Sequence, residues 1–159
     1  IVNNAGISQQ KLFTDITEND WDRMFDVNMK SMYLVTKAFV DDMIYKQSGK
    51  IINISSMWGV TGGSCEVHYS AAKAAVIGFT KALAKELAPS GIQVNAVACG
   101  AIDTEMNGHL SDDDKASLAE EIPAGRFGSP QEVAKLVKSL SGMNSYLTGQ
   151  IITLDGGWI

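Results

Sequence analysis

The apolar positions of the chain alternate between two patterns, which predict helices and buried strands in turn. Between Trp21 and Met43 apolar residues recur at steps of three and four, as on one face of a helix. Thr17 precedes this run as its expected N-cap, with acidic residues in the first turn. The predicted apolar stripe consists of Trp21, Met24, Phe25, Met32, Val35, Phe39 and Met43. Asn28 falls on the same stripe, where a buried amide needs hydrogen-bonding partners.

Three more helices and a set of short strands complete the pattern. The helices are expected over about 68–87, from Ser111, and from Pro130 with Ser129 as its cap. Short runs rich in β-branched residues are typical of buried parallel strands, and they lie at 1–2, 50–55, 92–98 and 150–154. Strands that alternate with helices predict an α/β fold with a doubly wound parallel sheet.

Polar and small residues follow directly after these strands. Asn4, Ser56, Cys99 and Gly100 all lie where a predicted strand ends. In open parallel sheets ligands bind beyond the carboxyl ends of the strands. We therefore expect these residues to border a binding site.

Ser56, Tyr69 and Lys73 form the candidate catalytic group. A tyrosine and a lysine four residues apart share one face of a helix. A nearby ammonium group favours the phenolate and is expected to lower the tyrosine pKa from its usual value of about 10. Ser56 could bind the same oxygen atom that Tyr69 protonates. The three together can hold and protonate a carbonyl group while another group delivers a hydride.

Further motifs accompany this group in a fixed order along the chain. They are Asn3-Asn4-Ala5-Gly6, Asn28, Gly59 and Gly62, the NAVACGAIDTEM segment, and Leu154-Asp155-Gly156-Gly157. This set resembles the short-chain dehydrogenase/reductase family, and among its members the bacterial 3-oxoacyl-acyl-carrier-protein reductases. The resemblance implies a Rossmann-like fold and an NAD(P)H-dependent carbonyl reductase.

The resemblance also implies roles for individual residues. Tyr69 would be the acid, Lys73 would bind the nicotinamide ribose, and Asn28 would hold a water that links Lys73 to solvent. Asn4, Ala5, Gly6, Ile102 and Thr104 would contact the cofactor, together with Tyr69 and Lys73. NADP is the expected cofactor, with NAD not excluded, and the family resemblance implies a homotetramer or homodimer.

The chain departs from the family pattern in three places. The Gly-rich loop of the N-terminal βαβ half is missing, so residues 1–159 resemble a single partial domain, the C-terminal two thirds of the family's domain. Cys99 stands where the family usually has proline. The two positions that carry basic carrier-docking residues in the reductases fall on Gln47 and Ser90. Without the Gly-rich loop, an inactive fragment is an alternative to the enzyme.

The substrate is left open between two classes. A 3-oxoacyl thioester follows from the overall resemblance. Trp58 and Glu66 flank the expected substrate loop, and a carboxylate beside an indole could bind an ammonium group. The Ser-Cys-Glu-Val stretch also resembles reductases of the aminopentanone modification of elongation factor P, which makes an aminoketone the second candidate.

Composition excludes several other classes. The 159 residues carry a formal net charge of −5 with scattered basic residues, which argues against nucleic-acid binding. No apolar run is long enough for a membrane span, and we expect a cytoplasmic protein. Cys65, Cys99, His68 and His109 have no metal-ligand spacing, so no metal site is expected.

Overall fold

The computed structural model describes residues 1–108, 110–142 and 146–159. Its strands are β1 (Val2–Asn3), β2 (Gly49–Ser56), β3 (Ile92–Cys99) and β4 (Ile151–Leu154). Its α-helices are α1 (Glu18–Phe25), α2 (Ser31–Lys46), α3 (Trp58–Thr61), α4 (Val67–Leu87), α5 (Asp112–Glu121) and α6 (Pro130–Gly142). Short 3₁₀ turns lie at Phe13–Asp15, Ala88–Ser90 and Glu105–Asn107.

The four strands form one parallel sheet in the order β1-β2-β3-β4. Neighbouring residues of β2 point to opposite faces of this sheet. Ile51 packs with Val40 of α2 and Ala84 of α4, whereas Ile52 packs with Leu140 of α6. Helices therefore cover both faces, and the predicted doubly wound α/β arrangement is confirmed.

The helix predicted between Trp21 and Met43 is interrupted. A π-helical turn at Asp26–Lys30 joins α1 to α2 and inserts one extra residue per turn at that point. The buried side chains consequently fall at steps of four, namely Met24, Asn28, Met32, Thr36 and Val40. The predicted stripe is wrong at Trp21, Val35 and Phe39, which are exposed.

The predicted helix starts are confirmed by their caps. Thr17 accepts a hydrogen bond from the Asp20 amide, and the Asp20 carboxylate accepts one from Thr17 in return. Ser111 and Asp114 form the same reciprocal arrangement at α5. Ser129 and Glu132 repeat it at α6. Each pair satisfies backbone N–H groups that the first turn of a helix leaves without partners.

A buried polar chain links β1 and β2 to the helices above them. The Asn3 amide donates to Asn53 Oδ1 (2.8 Å) and to Thr36 Oγ1 (3.2 Å). The Asn53 amide donates in turn to Thr80 Oγ1 (2.9 Å) on α4. Because each buried amide needs these partners, a shifted pairing of the two strands would leave polar atoms unsatisfied.

Two kinds of feature are absent from the described residues. None of the described helices combines the length and apolar character needed to cross a membrane. No group of three or more His, Cys, Asp or Glu side chains is placed to hold a metal ion there. His109 lies outside the described residues.

Candidate active site

Ser56, Tyr69 and Lys73 meet at the carboxyl end of β2. Ser56 is the last residue of that strand, and the other two lie one turn apart on α4. All three are buried, with 6%, 8% and 4% of their surface exposed. The Ser56 hydroxyl hydrogen-bonds the Tyr69 phenol. The sequence expectation that these residues share one site is thus matched by their positions.

Two contacts hold α4 against the strand at this point. Ser55 Oγ donates to the main-chain oxygen of Lys73 over 2.9 Å. A Cβ atom at Gly59 would lie 2.7 Å from the Lys73 carbonyl carbon, so α3 reaches α4 only because residue 59 has no side chain. The backbone that carries Lys73 is fixed on both sides.

The Lys73 ammonium lies beneath the tyrosine rather than beside its hydroxyl. Its Nζ donates to the Ile54 main-chain oxygen (3.1 Å) and is 5.7 Å from the centre of the Tyr69 ring. Burial lowers the pKa of Lys73 to about 8, and the nearby Cys99 opposes this change. Burial likewise raises the pKa of the Cys99 thiol to about 11, so the thiol remains protonated at neutral pH.

The expected lowering of the tyrosine pKa is wrong for this arrangement. Burial raises the pKa of Tyr69 to about 12, although the hydrogen bond from Ser56 acts in the opposite direction and Glu66 adds to the rise. Loss of water around the phenolate outweighs the other contributions. Tyr69 therefore holds its proton at neutral pH, as a proton donor must.

Asn28 is completely buried in the π-helical turn and binds the loop that follows β1. Its Nδ2 donates to the main-chain oxygens of Ile7 and Met24, each over 3.0 Å, and its Oδ1 accepts from the Ile7 amide over 3.3 Å. Gly6 lies between this amide and Lys73. A Cβ atom at Gly6 would be 2.8 Å from Asn28 Oδ1 and 3.2 Å from Lys73 Nζ.

Two cavities adjoin at Ser56 and Tyr69. The first, the Lys73 cavity, has a volume of about 490 Å³. Six of the seven residues expected to contact a cofactor line it, namely Asn4, Gly6, Tyr69, Lys73, Ile102 and Thr104. Cys99 lines it as well, whereas Ala5 is exposed and does not. Asn107 Nδ2 donates to the Ile102 main-chain oxygen (2.8 Å) and fixes that loop.

The second, the Glu66 cavity, has a volume of about 580 Å³ and lies on the other side of Ser56 and Tyr69. Trp58 and Glu66, the two expected substrate residues, both line it. Trp58 packs flat over Gly63, where a Cβ atom would be 3.1 Å from the indole, and its ring centre is 5.7 Å from that of Trp158.

Sequence reasoning missed three residues of the Glu66 cavity region. Trp158 near the end of the chain and Gln9 in the loop after β1 both line the cavity. His68, considered only as a metal ligand, binds Gln9 instead. Nothing in their spacing indicates these contacts, because they join residues far apart in the chain. The only feature of the sequence that points to His68 is its position directly before Tyr69.

Comparison with known proteins agrees with this geometry. A family profile described as enoyl-(acyl carrier protein) reductase matches residues 1–159. The chain belongs to the short-chain dehydrogenase/reductase family. This short-chain dehydrogenase/reductase is 49% identical over 158 residues to the 3-oxoacyl-[acyl-carrier-protein] reductase of Aquifex aeolicus. That alignment covers 99% of the chain and 64% of the relative.

Solved structures of family members superpose closely. The 3-oxoacyl-[acyl-carrier protein] reductase of Brucella melitensis matches with a TM-score of 0.94 at 36% identity, over 99% of this chain and 62% of that one. A putative 2-deoxy-d-gluconate 3-dehydrogenase of Agrobacterium tumefaciens with bound NADP matches with a TM-score of 0.93 at 40% identity, over 99% and 65%. The chain spans just under two thirds of the length of the curated relatives that it matches.

Proposed function

We propose that this chain is the C-terminal part of an NAD(P)H-dependent carbonyl reductase that converts a 3-oxoacyl thioester into the 3-hydroxyacyl product. The observation that carries this proposal is the position of Ser56 and Tyr69, which border the Lys73 cavity and the Glu66 cavity at once. A reaction between groups held in two cavities requires its acid at their boundary. The names of the similar reductases support the same reaction class.

The residues of the Lys73 cavity fit a nicotinamide cofactor. Lys73 and Tyr69 would hold its ribose, Asn4 and Gly6 its adenosine side, and Ile102 and Thr104 its carboxamide and phosphates. Ala5, which does not line the cavity, would contribute only main-chain contact. We propose NADP, with NAD as the alternative, in keeping with the NADP bound to the similar Agrobacterium tumefaciens protein. When bound, the reduced cofactor supplies the hydride.

The protein groups would then stabilise the developing charge and transfer the proton. Ser56 donates a hydrogen bond to the substrate carbonyl oxygen, and Tyr69 Oη transfers its proton to that oxygen as the carbonyl carbon is reduced, which yields a hydroxyl group and a phenolate. The Lys73 ammonium stabilises the phenolate from below the ring. Its pKa of about 8 makes it a suitable source for the replacement proton.

Asn28 would complete the route by which that proton is replaced. A Cβ atom at Gly6 would lie 2.8 Å from Asn28 Oδ1 and 3.2 Å from Lys73 Nζ, so both polar groups lie against residue 6. Only glycine leaves room between them at this position. We therefore assign Asn28 and Gly6 to the proton relay.

The first test uses the protein expressed from its complete reading frame. Oxidation of NADPH and NADH is followed with an acetoacetyl thioester, a crotonyl thioester and a 5-amino ketone. We expect turnover of the acetoacetyl thioester and a loss on the order of 100-fold or more in Tyr69→Phe. Tyr45→Phe, at a residue that is 89% exposed, is the matched control. Turnover of crotonyl thioester alone would instead place the reaction at a carbon–carbon double bond.

An aminoketone is the second candidate substrate, on one specific observation. Glu66 lines the same cavity as the paired indoles of Trp58 and Trp158. A carboxylate and aromatic faces together suit an ammonium group. Glu66→Gln should then raise the apparent KM of the 5-amino ketone and leave that of a neutral ketone unchanged, with the exposed Glu86→Gln as control. Equal effects on both ketones would refute this assignment.

We also propose a position for carrier docking and a surface for self-association. The ends of α2 and of the turn after α4 meet, because a Cβ atom at Gly91 would lie 2.7 Å from the Gln47 main-chain oxygen. Gln47 and Ser90, the docking positions that the resemblance implies, therefore lie on adjoining segments, although neither side chain carries the positive charge found there in the reductases. On α2, Leu34 and Phe39 are more than half exposed, and a second copy of the chain would cover them. Sedimentation of the protein with and without Leu34→Glu tests this, since a monomer in both cases would refute it.

A further inference from the structure

The segment of residues 8–11 forms one wall of the Glu66 cavity. Ser8, Gln9 and Gln10 line it directly. The backbone of this segment is joined to the loop before α4, because the Lys11 amide donates to the Cys65 main-chain oxygen over 2.7 Å. The wall is thus attached to the part of the chain that leads into Tyr69.

A directed chain of hydrogen bonds fixes the Gln9 side chain within that wall. Gln9 Nε2 donates to Asp20 Oδ1 (3.3 Å), and a carboxylate can only accept. Gln9 Oε1 therefore faces His68 Nε2, 2.9 Å away, and the imidazole must donate from that nitrogen. The two partners come from α1 and from α4, so Gln9 is held from both sides.

Asp20 is an ionised anchor for this chain. Lys11 Nζ lies 2.7 Å from its carboxylate, and Thr17 donates both its hydroxyl and its amide to it. These contacts, with the Lys11 hydrogen bond foremost, hold the pKa of Asp20 far below its usual range. The acceptor for Gln9 Nε2 therefore stays charged throughout the working pH range.

His68 is a neutral donor at the other end. Its ring is completely buried, and its Nδ1 has no hydrogen-bond partner among the residues that the structure describes. A second proton would sit on that buried nitrogen without an acceptor, which costs free energy. Burial accordingly lowers the pKa of His68, while Asp20 opposes the change and Lys11 adds to it. The imidazole keeps one tautomer, and with it one orientation of Gln9.

We propose that Gln9 is a substrate-binding residue, oriented by His68 and Asp20, whose second amide N–H donates to an oxygen of the substrate in the Glu66 cavity. Asp20 takes one of the two N–H groups, and no described residue accepts the other. His68 directly precedes Tyr69, so the hydrogen bonds that orient Gln9 also fix the distance between Gln9 and the proton donor. This inference rests on the proposed carbonyl reductase function.

The kinetic test separates binding from chemistry. Gln9→Leu should raise KM for the ketone about tenfold, the equivalent of one hydrogen bond, with kcat within about twofold and cofactor affinity unchanged. Gln10→Leu, in the same wall but outside the hydrogen bonds to His68 and Asp20, should raise KM clearly less than Gln9→Leu. Equal rises of KM in both variants would mean that only the polarity of the wall matters. That result would refute the proposal that His68 and Asp20 orient Gln9.

A pair of substitutions at His68 tests its role through Gln9. The amide of glutamine occupies the place of imidazole Nε2, and that of asparagine the place of Nδ1. His68→Gln should keep KM near its original value, whereas His68→Asn should raise it, and Gln9→Leu should add nothing to His68→Asn. Additive effects, or equal KM values for the two His68 variants, would refute the coupling.

Nitrogen NMR of His68 provides a measurement that needs no turnover. We expect the neutral Nε2–H tautomer to persist below the ordinary histidine pKa, and a tautomer with the proton on Nδ1 would overturn the assignment. If no ketone is turned over by the unsubstituted protein, the proposed function fails and the substrate role of Gln9 fails with it. The tautomer result then shows separately whether His68 donates the hydrogen bond that orients Gln9.

Discussion

Replacing Lys73 by methionine should stabilise the protein while it abolishes activity. Burial moves the pKa of this lysine from 10.5 to about 8, and at about 1.4 kcal/mol per pKa unit the buried ammonium costs roughly 3 kcal/mol of folding free energy at neutral pH. Methionine keeps the length of the side chain but gives up the hydrogen bond to the Ile54 oxygen, worth about 1 kcal/mol. We expect a net gain of about 2 kcal/mol.

The pH dependence of this gain follows from the direction of the pKa change. Between about pH 8 and 10.5 the unfolded chain still binds the proton that the folded protein has lost, so the original protein gains stability as the pH rises through that window. The advantage of Lys73→Met should therefore be largest at about pH 7 and be close to zero by about pH 9.5. An ordinary packing improvement would show no such trend.

The assay is urea unfolding, followed by tryptophan fluorescence at both pH values, with slopes compared to confirm a two-state transition. Lys81→Met, at an exposed position two turns further along α4, is the matched control and should change the unfolding free energy by less than about 0.5 kcal/mol. If Lys73→Met were no more stable than the original protein at neutral pH, burial of the ammonium would not be costly, and the reasoning about its pKa would be refuted.

Three further predictions concern the relay, the sheet and the cap of α6. Gly6→Ala places a methyl group 3.2 Å from Lys73 Nζ and should lower kcat about tenfold in steady-state assays with little change in KM. Asn53→Ala removes two buried hydrogen bonds and should cost about 2–3 kcal/mol in urea unfolding. The hydrogen bond from Arg126 is the main reason that the pKa of Glu132 is lowered to about 2. The free energy of unfolding should therefore fall as the pH drops from about 4.5 towards 2. Glu132→Gln should make that fall smaller in acid unfolding.

Each of these has an outcome that would contradict it. A rise in KM without a change in kcat would show that residue 6 acts in binding rather than in proton replacement. An Asn53→Ala protein as stable as the original would mean that water replaces the lost amide. An unchanged acid profile in Glu132→Gln would show that its pairing with Arg126 has no role in folding.

Much of the fold follows from the sequence because its signals are local. The β-branched runs before Ser56 and Cys99 predict the buried parallel strands, and Thr17 predicts the start of α1 correctly. The π-helical turn leaves no such local trace, because one extra residue per turn changes the face without changing the composition. The predicted stripe therefore places Val35 and Phe39 on the wrong side of the helix.

The sequence likewise predicts one part of the candidate site and not another. Ser56, Tyr69 and Lys73 could be grouped from their spacing and from the ends of the strands. The rise of the Tyr69 pKa could not, because it depends on how completely the folded chain removes water from the phenol. The contact between Gln9 and His68 spans 59 residues and depends on the path of the loop after β1.

The order of the sheet has a consequence for how the chain is made. β2, β3 and β4 each pair with the strand synthesised just before them, since the four described strands are neighbours in space in their order along the chain. As the ribosome releases the polypeptide, each of these three strands meets the edge formed by the strand before it and, among the strands that the structure describes, need not insert between two others. The candidate catalytic residues belong to β2 and α4, so they can be in place before β3 and β4 have left the ribosome.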